Sequence, residues 1–307
     1  MMLGRDQSGL RAASLTAVAL VAFAANSLLC RLALGDEQID AASYTSLRLL
    51  SGAATLWVIL AFSGHSRSDK KGGSWVSAAM LFLYAAAFSF AYLTLDAGTG
   101  ALILFGAVQA TMILAGFIEG QRPHLLEWVG LVGAFAGLVY LVFPGISAPA
   151  PFGSLLMTVA GIAWGIYSLR GRGSGNPSAV TAANFARALP FAFVVSLLFL
   201  PDFQITVRGA WLAVASGAVA SGMGYVVWYA ALKGLTTTRA AVVQLSVPVL
   251  AAIGGVLFLA EAITHRLVLS SAIILGGIAL AIWGRDYAAR ISVQTSDGEG
   301  ELHDGYE

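Results

Sequence analysis

The chain has 307 residues, 58% of them apolar and 11% charged, with a formal net charge of +1. Soluble domains carry about 45–50% apolar and about 25% charged residues, so the composition excludes a soluble enzyme, a disordered chain and a nucleic-acid-binding domain. Cys30 is the single cysteine, which excludes an intrachain disulfide framework and a cysteine metal cluster.

What remains is an all-α polytopic membrane protein. A helix needs roughly 20 apolar residues to cross a bilayer. Runs free of Asp, Glu, Lys and Arg predict ten transmembrane helices, at 12–34, 41–62, 74–95, 99–119, 125–143, 152–170, 179–200, 209–232, 238–260 and 267–284. The first holds Asn26 at mid-depth. The second contains Arg48 near one end, in reach of the interface by snorkelling. The third carries Tyr84, Phe88 and Tyr92 at i, i+4 and i+8, on one face. The fourth holds Gln109 and closes on Glu119. Its neighbour is separated from the sixth by Pro144, Gly145, Pro149 and Pro151, which break the uncharged run 128–169.

The fifth helix reads Gly130, Gly133, Gly137 and the tenth Ala272, Gly276, Gly277, Ala281, spacings that let helix backbones approach closely. The sixth places Trp164 and Tyr167 on one face, the seventh contains Arg187 near an end, and the eighth carries Trp228 and Tyr229. The ninth holds Gln244 and Pro248 and closes on Glu261. Pro248 lacks the N–H that would bond the Gln244 carbonyl, so a bend is expected there.

Continuous apolar runs exclude a transmembrane barrel, whose strands alternate apolar and polar residues. The first span starts late and lacks a clear cleavage region, unlike a removable signal sequence. Residues 291–307 are polar and acidic and read as disorder, so 285–307 is expected to be a disordered tail.

With the N-terminus on the cytoplasmic side, twelve Lys and Arg fall in inside segments and three (Arg31, Arg208, Arg266) at outside ends; Arg48 and Arg187 lie within helices. Positive residues accumulate inside, so both termini are expected in the cytoplasm of a cell with this protein in its inner membrane.

Residues 12–143 and 152–284 each read as five helices, joined by a linker at 144–151 and preceded by a short N-terminal segment, 1–11. An offset of 139 residues superposes Arg48 on Arg187 and Arg31 on Arg170. Five is odd, so the second half enters the membrane inverted relative to the first. Inverted repeats are a feature of many secondary transporters.

The segment 240–264, AAVVQLSVPVLAAIGGVLFLAEAIT, resembles the ninth helix of the EamA-like family of the drug/metabolite transporter superfamily, with its central proline and closing glutamate. The first-half counterpart, GTGALILFGAVQATMILAGFIEGQRP at 98–123, lacks the proline. The first helix, AFAANSLLCRLAL, is also similar, and the resemblance covers 12–284. It implies a cavity between the first, third, fourth, sixth, eighth and ninth helices. It further implies a secondary transporter that exports small organic metabolites such as amino acids by alternating access. A facilitative importer or channel-like permease is the alternative within the transport class, and a non-transport membrane enzyme the alternative outside it.

Within those helices the expected substrate-binding residues are Asn26, Tyr84, Phe88, Tyr92, Gln109, Trp164, Tyr167, Trp228 and Gln244. Amides and aromatic rings suit a flat or apolar cargo. Pro248 is the expected gating residue. Glu119, Glu261, Arg48 and Arg187 are the candidates for proton coupling or for structural ion pairs; Arg122 and Arg266 are the expected partners of the two glutamates, and peripheral anchoring or lipid headgroup contact is the other role open to the two arginines. Membrane lipids are the other expected partner, and a monomer and a loose homodimer both remain open.

An enzyme needs different residues. The four histidines, His65, His124, His265 and His303, lie in loops or the tail. There is no G-x-S-x-G elbow, H-E-x-x-H or Walker A string, so no metal, cofactor or nucleotide is expected. A channel would be expected to repeat a selectivity element, and none is present.

Overall fold

A computed structural model describes residues 3–63, 72–118, 120, 125–143, 145, 148–171, 176–235 and 237–303. The helices are α1 (Leu3–Gly35), α2 (Ala41–Phe62), α3 (Trp75–Ala91), α4 (Ala97–Ile118), α5 (Leu125–Val142), α6 (Pro151–Arg170) and α7 (Pro177–Leu198). There follow α8 (Val207–Ala215), a π-helical segment (Ser216–Met223), α9 (Gly224–Leu232), α10 (Thr237–Gln244), α11 (Ser246–Leu259) and α12 (His265–His303). The π segment joins α8 and α9 into one continuous rod.

Among the described residues nine helices are long and apolar enough to cross a membrane, and α3 is a shorter apolar helix of 17 residues. It was expected to run to residue 95, but Tyr92 to Leu95 leave the helix as turns. α12 extends to His303, so helix covers 285–303, where composition reads as disorder.

Capping side chains set several helix starts. Asp40, Ser74, Asn176 and Thr206 each accept a hydrogen bond from the backbone N–H three residues on, opening α2, α3, α7 and α8. Pro151 and Pro177 stand in the first turns of α6 and α7, where the missing N–H costs nothing.

Packing follows the small-residue faces. α5 lies against α12, α3 and α4 against α6, α2 against α7 and the π segment, and α1 against α9 and α11. A Cβ on Gly130 would collide with the Gly277 carbonyl, so these two glycines permit the α5–α12 approach. The loops before α2 and before α8 meet at one end of the bundle, where Ile39 and Ile205 form an isolated antiparallel bridge.

The position of Arg48 corrects a sequence expectation. Its place near one end of the span puts the interface within snorkelling reach, yet it is 2% exposed and lies inside the bundle. The reason is the neighbour it packs on. A Cβ on Gly217 of the π segment would strike the Arg48 carbonyl, so α2 and that segment touch backbone to backbone and enclose the side chain.

Candidate functional site

A cavity of about 500 Å³ opens among α1, α3, α4, α6, α7, α9 and α10. Arg170, Gly171, Pro177 and Leu235 lie around its mouth, where α6, α7 and the α9–α10 connection end. Asn26, Tyr84, Phe88, Ala220 and Tyr225 line its inner part.

The walls are aromatic. The Trp164 ring lies 4.8 Å from Tyr84, 5.2 Å from Tyr225 and 5.3 Å, stacked, from Tyr167. On the opposite side Phe23 meets Trp228 edge-on at 5.7 Å. Gln109 of α4 and Gln244 of α10 add amides to the lining. Thr181 and Tyr229 share a hydrogen bond of 3.1 Å nearer the mouth, where Arg170 also donates to Ser77 at 3.2 Å.

The inner end is a polar knot. Asn26 Nδ2 donates to the Tyr84 hydroxyl at 3.4 Å, and Ser216 donates to Asn26 Oδ1. Arg48 Nη2 donates to the same Tyr84 oxygen at 2.8 Å, and its Nε to Ser221 at 3.4 Å. The guanidinium carbon sits 5.1 Å from the Tyr84 ring centre and 4.8 Å from that of Phe88, within cation–π range. In a π-helix one turn closes between i and i+5. That turn brings Ser216 and Ser221 to the same side, so one serves Asn26 and the other Arg48.

Beyond the floor, side chains of α1, the α3–α4 connection and the end of α11 pack on one another. Tyr92, expected in the cavity, packs behind Phe88 at 4.7 Å between ring centres, and its hydroxyl donates to the Ala97 carbonyl at 3.2 Å. Position i+8 carries its ring past the cavity because α3 has already ended. Arg31 donates to the Tyr92 carbonyl at 3.1 Å. The same guanidinium lies 3.5 Å from Glu261 and 4.0 Å from Asp96.

This cluster corrects a second expectation. Glu261 pairs with Arg31, not with the nearby Arg266, which donates to the Phe143 carbonyl at 2.8 Å and lies over the Tyr140 ring. The α11–α12 turn points Arg266 toward α5 and Glu261 back toward α1 and α4. Burial pushes the Glu261 carboxyl above the usual range, with Asp96 adding to it; the Ala97 N–H and Arg31 oppose the shift. Arg187 donates to the Gly72 carbonyl at 3.2 Å and ties α7 to the segment before α3. Glu119 lies outside the described residues.

Of the expected binding residues, Asn26, Tyr84, Phe88, Gln109, Trp164, Tyr167, Trp228 and Gln244 all line this one cavity. Pro248 is buried in α11 away from it, three residues after the break at Leu245 that separates α10 from α11. Sequence reasoning missed Tyr225 as part of the site, and named Arg48 as a candidate for coupling, ion pairing or anchoring and not as a partner of Tyr84. Tyr225 carried a usable signal, since it precedes Trp228 by three and Tyr229 by four on the same rod.

A family model described as the EamA-like transporter family matches residues 151–283. An uncharacterized protein of Pseudomonas aeruginosa is 53% identical over 268 residues, 87% of this chain and 93% of that one. A probable amino-acid metabolite efflux pump of Escherichia coli is 23% identical over 65% of this chain and 72% of its own length. A protein crystal structure with 22% identity shares the fold at a TM-score of 0.63, covering 86% of this chain and 95% of that one. With its long apolar helices and these relatives, the chain is a multi-pass membrane protein that belongs to the EamA-like family of the drug/metabolite transporter superfamily, a family of transporters and not of enzymes.

Proposed function

We propose that this protein is a secondary transporter of the inner membrane that exports small organic metabolites, amino acids among them, by alternating access. The observation that carries this reading is the one-sided cavity. Its lining runs from Arg170 and Leu235 inward to Asn26 and Tyr84, while Arg31, Asp96 and Glu261 tie the other end. The mouth lies where the charge bias puts the cytoplasm, so this is an inward-facing arrangement. Opening the Arg31–Glu261 end and closing the Arg170 end would present the same floor to the outside. Two inverted five-helix halves, 12–143 and 152–284, would give the two states similar energies. The efflux role named for the Escherichia coli relative favours the outward direction.

Reconstitution of the purified protein into liposomes, with a panel of amino acids and related metabolites, tests the reading. Saturable counterflow of at least one compound is expected. A pH gradient that accelerates export marks proton antiport, and indifference to it marks downhill flux. Liposomes with folded protein and no saturable flux of any compound would overturn the proposal.

A further inference from the structure

We infer that the cargo is a small organic carboxylate whose anionic group accepts a hydrogen bond from the Tyr84 hydroxyl at the cavity floor, with Arg48 behind Tyr84 supplying the compensating positive charge. This rests on the transporter reading and names its substrate class.

Three observations converge. The first is an unbalanced buried cation. Arg48 is sealed inside the bundle, and its Nη1 has no hydrogen-bond partner. Its neighbours are neutral: the Tyr84 and Phe88 rings and the Ser221 hydroxyl. The ion pairs seen among the described residues join Arg31 to Asp96, Arg31 to Glu261 and Arg208 to Asp36, and none includes Arg48. An intramembrane charge without a counter-ion is costly and marks a functional site.

The second is the direction of the Tyr84 proton. A phenol oxygen has one proton and limited room for acceptance. Here it already accepts from Arg48 Nη2 at 2.8 Å and from Asn26 Nδ2 at 3.4 Å. Asn26 Oδ1 is in turn taken by Ser216. The O–H is therefore the end left to give, and Tyr84 lines the cavity. A guanidinium donating into the oxygen polarises that O–H and strengthens it toward an anion.

The third is the sign of the lining. Among the described residues around the cavity, the one charged side chain is Arg170, a cation, and no carboxylate is present. An ammonium entering this space finds no counter-charge. A carboxylate finds Tyr84 backed by Arg48, with the Trp164 and Tyr225 rings beside it for a flat apolar body. A net anion is preferred over a zwitterion of the same skeleton, and both over the amine. Arg48 acts through Tyr84 and is a positioning residue.

The test uses the full-length purified protein and four probes with one ring and different charge: phenylacetate, L-phenylalanine, phenylacetamide and phenethylamine. Binding is read by tryptophan fluorescence, and flux in proteoliposomes. Phenylacetate is expected to bind at least about tenfold more tightly than phenylacetamide, the scale of one charge-assisted hydrogen bond. Tyr84→Phe and Arg48→Gln should bring that ratio close to one by weakening phenylacetate more than phenylacetamide, and Arg48→Lys should restore part of the ratio. Should Arg48→Gln fail to fold, Tyr84→Phe carries the test, since it removes only the hydroxyl. Equal binding of acid and amide, preference for the amine, no binding of phenylacetate, or an unchanged ratio in Tyr84→Phe overturns the inference. Flux of neutral or cationic compounds alone would do so while leaving the transporter standing. Phenylacetate bound, with no saturable flux of any compound, would spare the anion site and sink the transporter.

Discussion

Glu261 caps the helix that begins at Ala97: both carboxylate oxygens lie 3.0 Å from the Ala97 backbone nitrogen, 164 residues away in sequence. The end of α11 therefore holds the start of α4. A helix N-terminus leaves backbone N–H groups unpaired and carries partial positive charge, so a carboxylate is favoured there. Arg31 of α1 joins the same carboxylate, and three helices close on one side chain.

That closure should respond to pH. The Glu261 carboxyl is raised above its ordinary value in the closed arrangement, chiefly by burial. If the end opens, water restores the ordinary value. The closed form then binds the proton more tightly, so its advantage is full below the ordinary carboxylate value and fades as pH rises through the raised one. Acidification should favour closure, and Glu261→Gln should remove the pH response. Accessibility of a single cysteine placed at Thr94, followed across pH in a Cys30-free background, reports it. The same pH dependence in wild type and E261Q would exclude Glu261 as its source.

Substitutions around the cavity should separate binding from folding. Trp164→Ala removes a ring that touches Tyr84, Tyr167 and Tyr225 and should weaken cargo affinity about tenfold, near the worth of one or two aromatic contacts. Gln109→Ala and Gln244→Ala should lower flux several-fold with an unchanged melting profile, whereas Asn26→Ala should lower flux and also stability, because it strands Ser216. Tyr92→Phe should leave affinity alone and loosen the closed end, because it loses the bond to the Ala97 carbonyl. Normal flux from all of the cavity variants would refute the assignment.

The aromatic face of Tyr84 and Phe88 was legible because helical periodicity puts i and i+4 together wherever the helix goes. Tyr92 broke the rule since α3 stops one residue earlier, and a stop at a turn leaves little trace in an apolar run. Arg48 was misplaced because depth along a span does not reveal what packs over it; Gly217, 169 positions on, decides that. Glu261 was matched to Arg266 by proximity in sequence, whereas its partner Arg31 arrives from the first helix. The π segment had no distinct signature, since SGAVASGM reads as an ordinary small-residue stretch.

The glycines of α5 should differ sharply in cost. A methyl on Gly130 would drive into the Gly277 carbonyl and the Ala281 backbone, but one on Gly133 would come no closer than 4.0 Å to Gly277. Gly130→Ala should destabilise by about 1–3 kcal/mol, the usual penalty of overpacking. Gly133→Ala should be neutral or slightly stabilising, because alanine is the better helix former. Thermal unfolding of the two variants in detergent checks this, and equal losses would mean that α5 and α12 do not meet as described.

α4 runs unbroken from Ala97 to Ile118, while the rod of α10 and α11 is interrupted at Leu245, one residue after Gln244. Pro248 follows three residues on and has no N–H to return to the Gln244 carbonyl, so that rung of the ladder cannot form across the break. Transmembrane helices accept such a gap when neighbours or a water-lined cavity satisfy the freed group, and Gln244 lines the cavity. The break thus stands between the part of the rod that lines the cavity and the part that leads to Glu261. If α11 swings about this point, the Arg31–Glu261 closure opens without disturbing the floor. Pro248→Ala should restore the missing bond and stiffen the rod, lowering turnover several-fold while cargo affinity changes less than about twofold. Spin labels at Val242 and Phe258, both exposed on the outer faces of α10 and α11, report the bend as a distance distribution. A narrower distribution with slower turnover in P248A is the expected result. Unchanged distances together with unchanged turnover would make Pro248 a static packing residue, and the movement would then have to come from α1 or α4 instead.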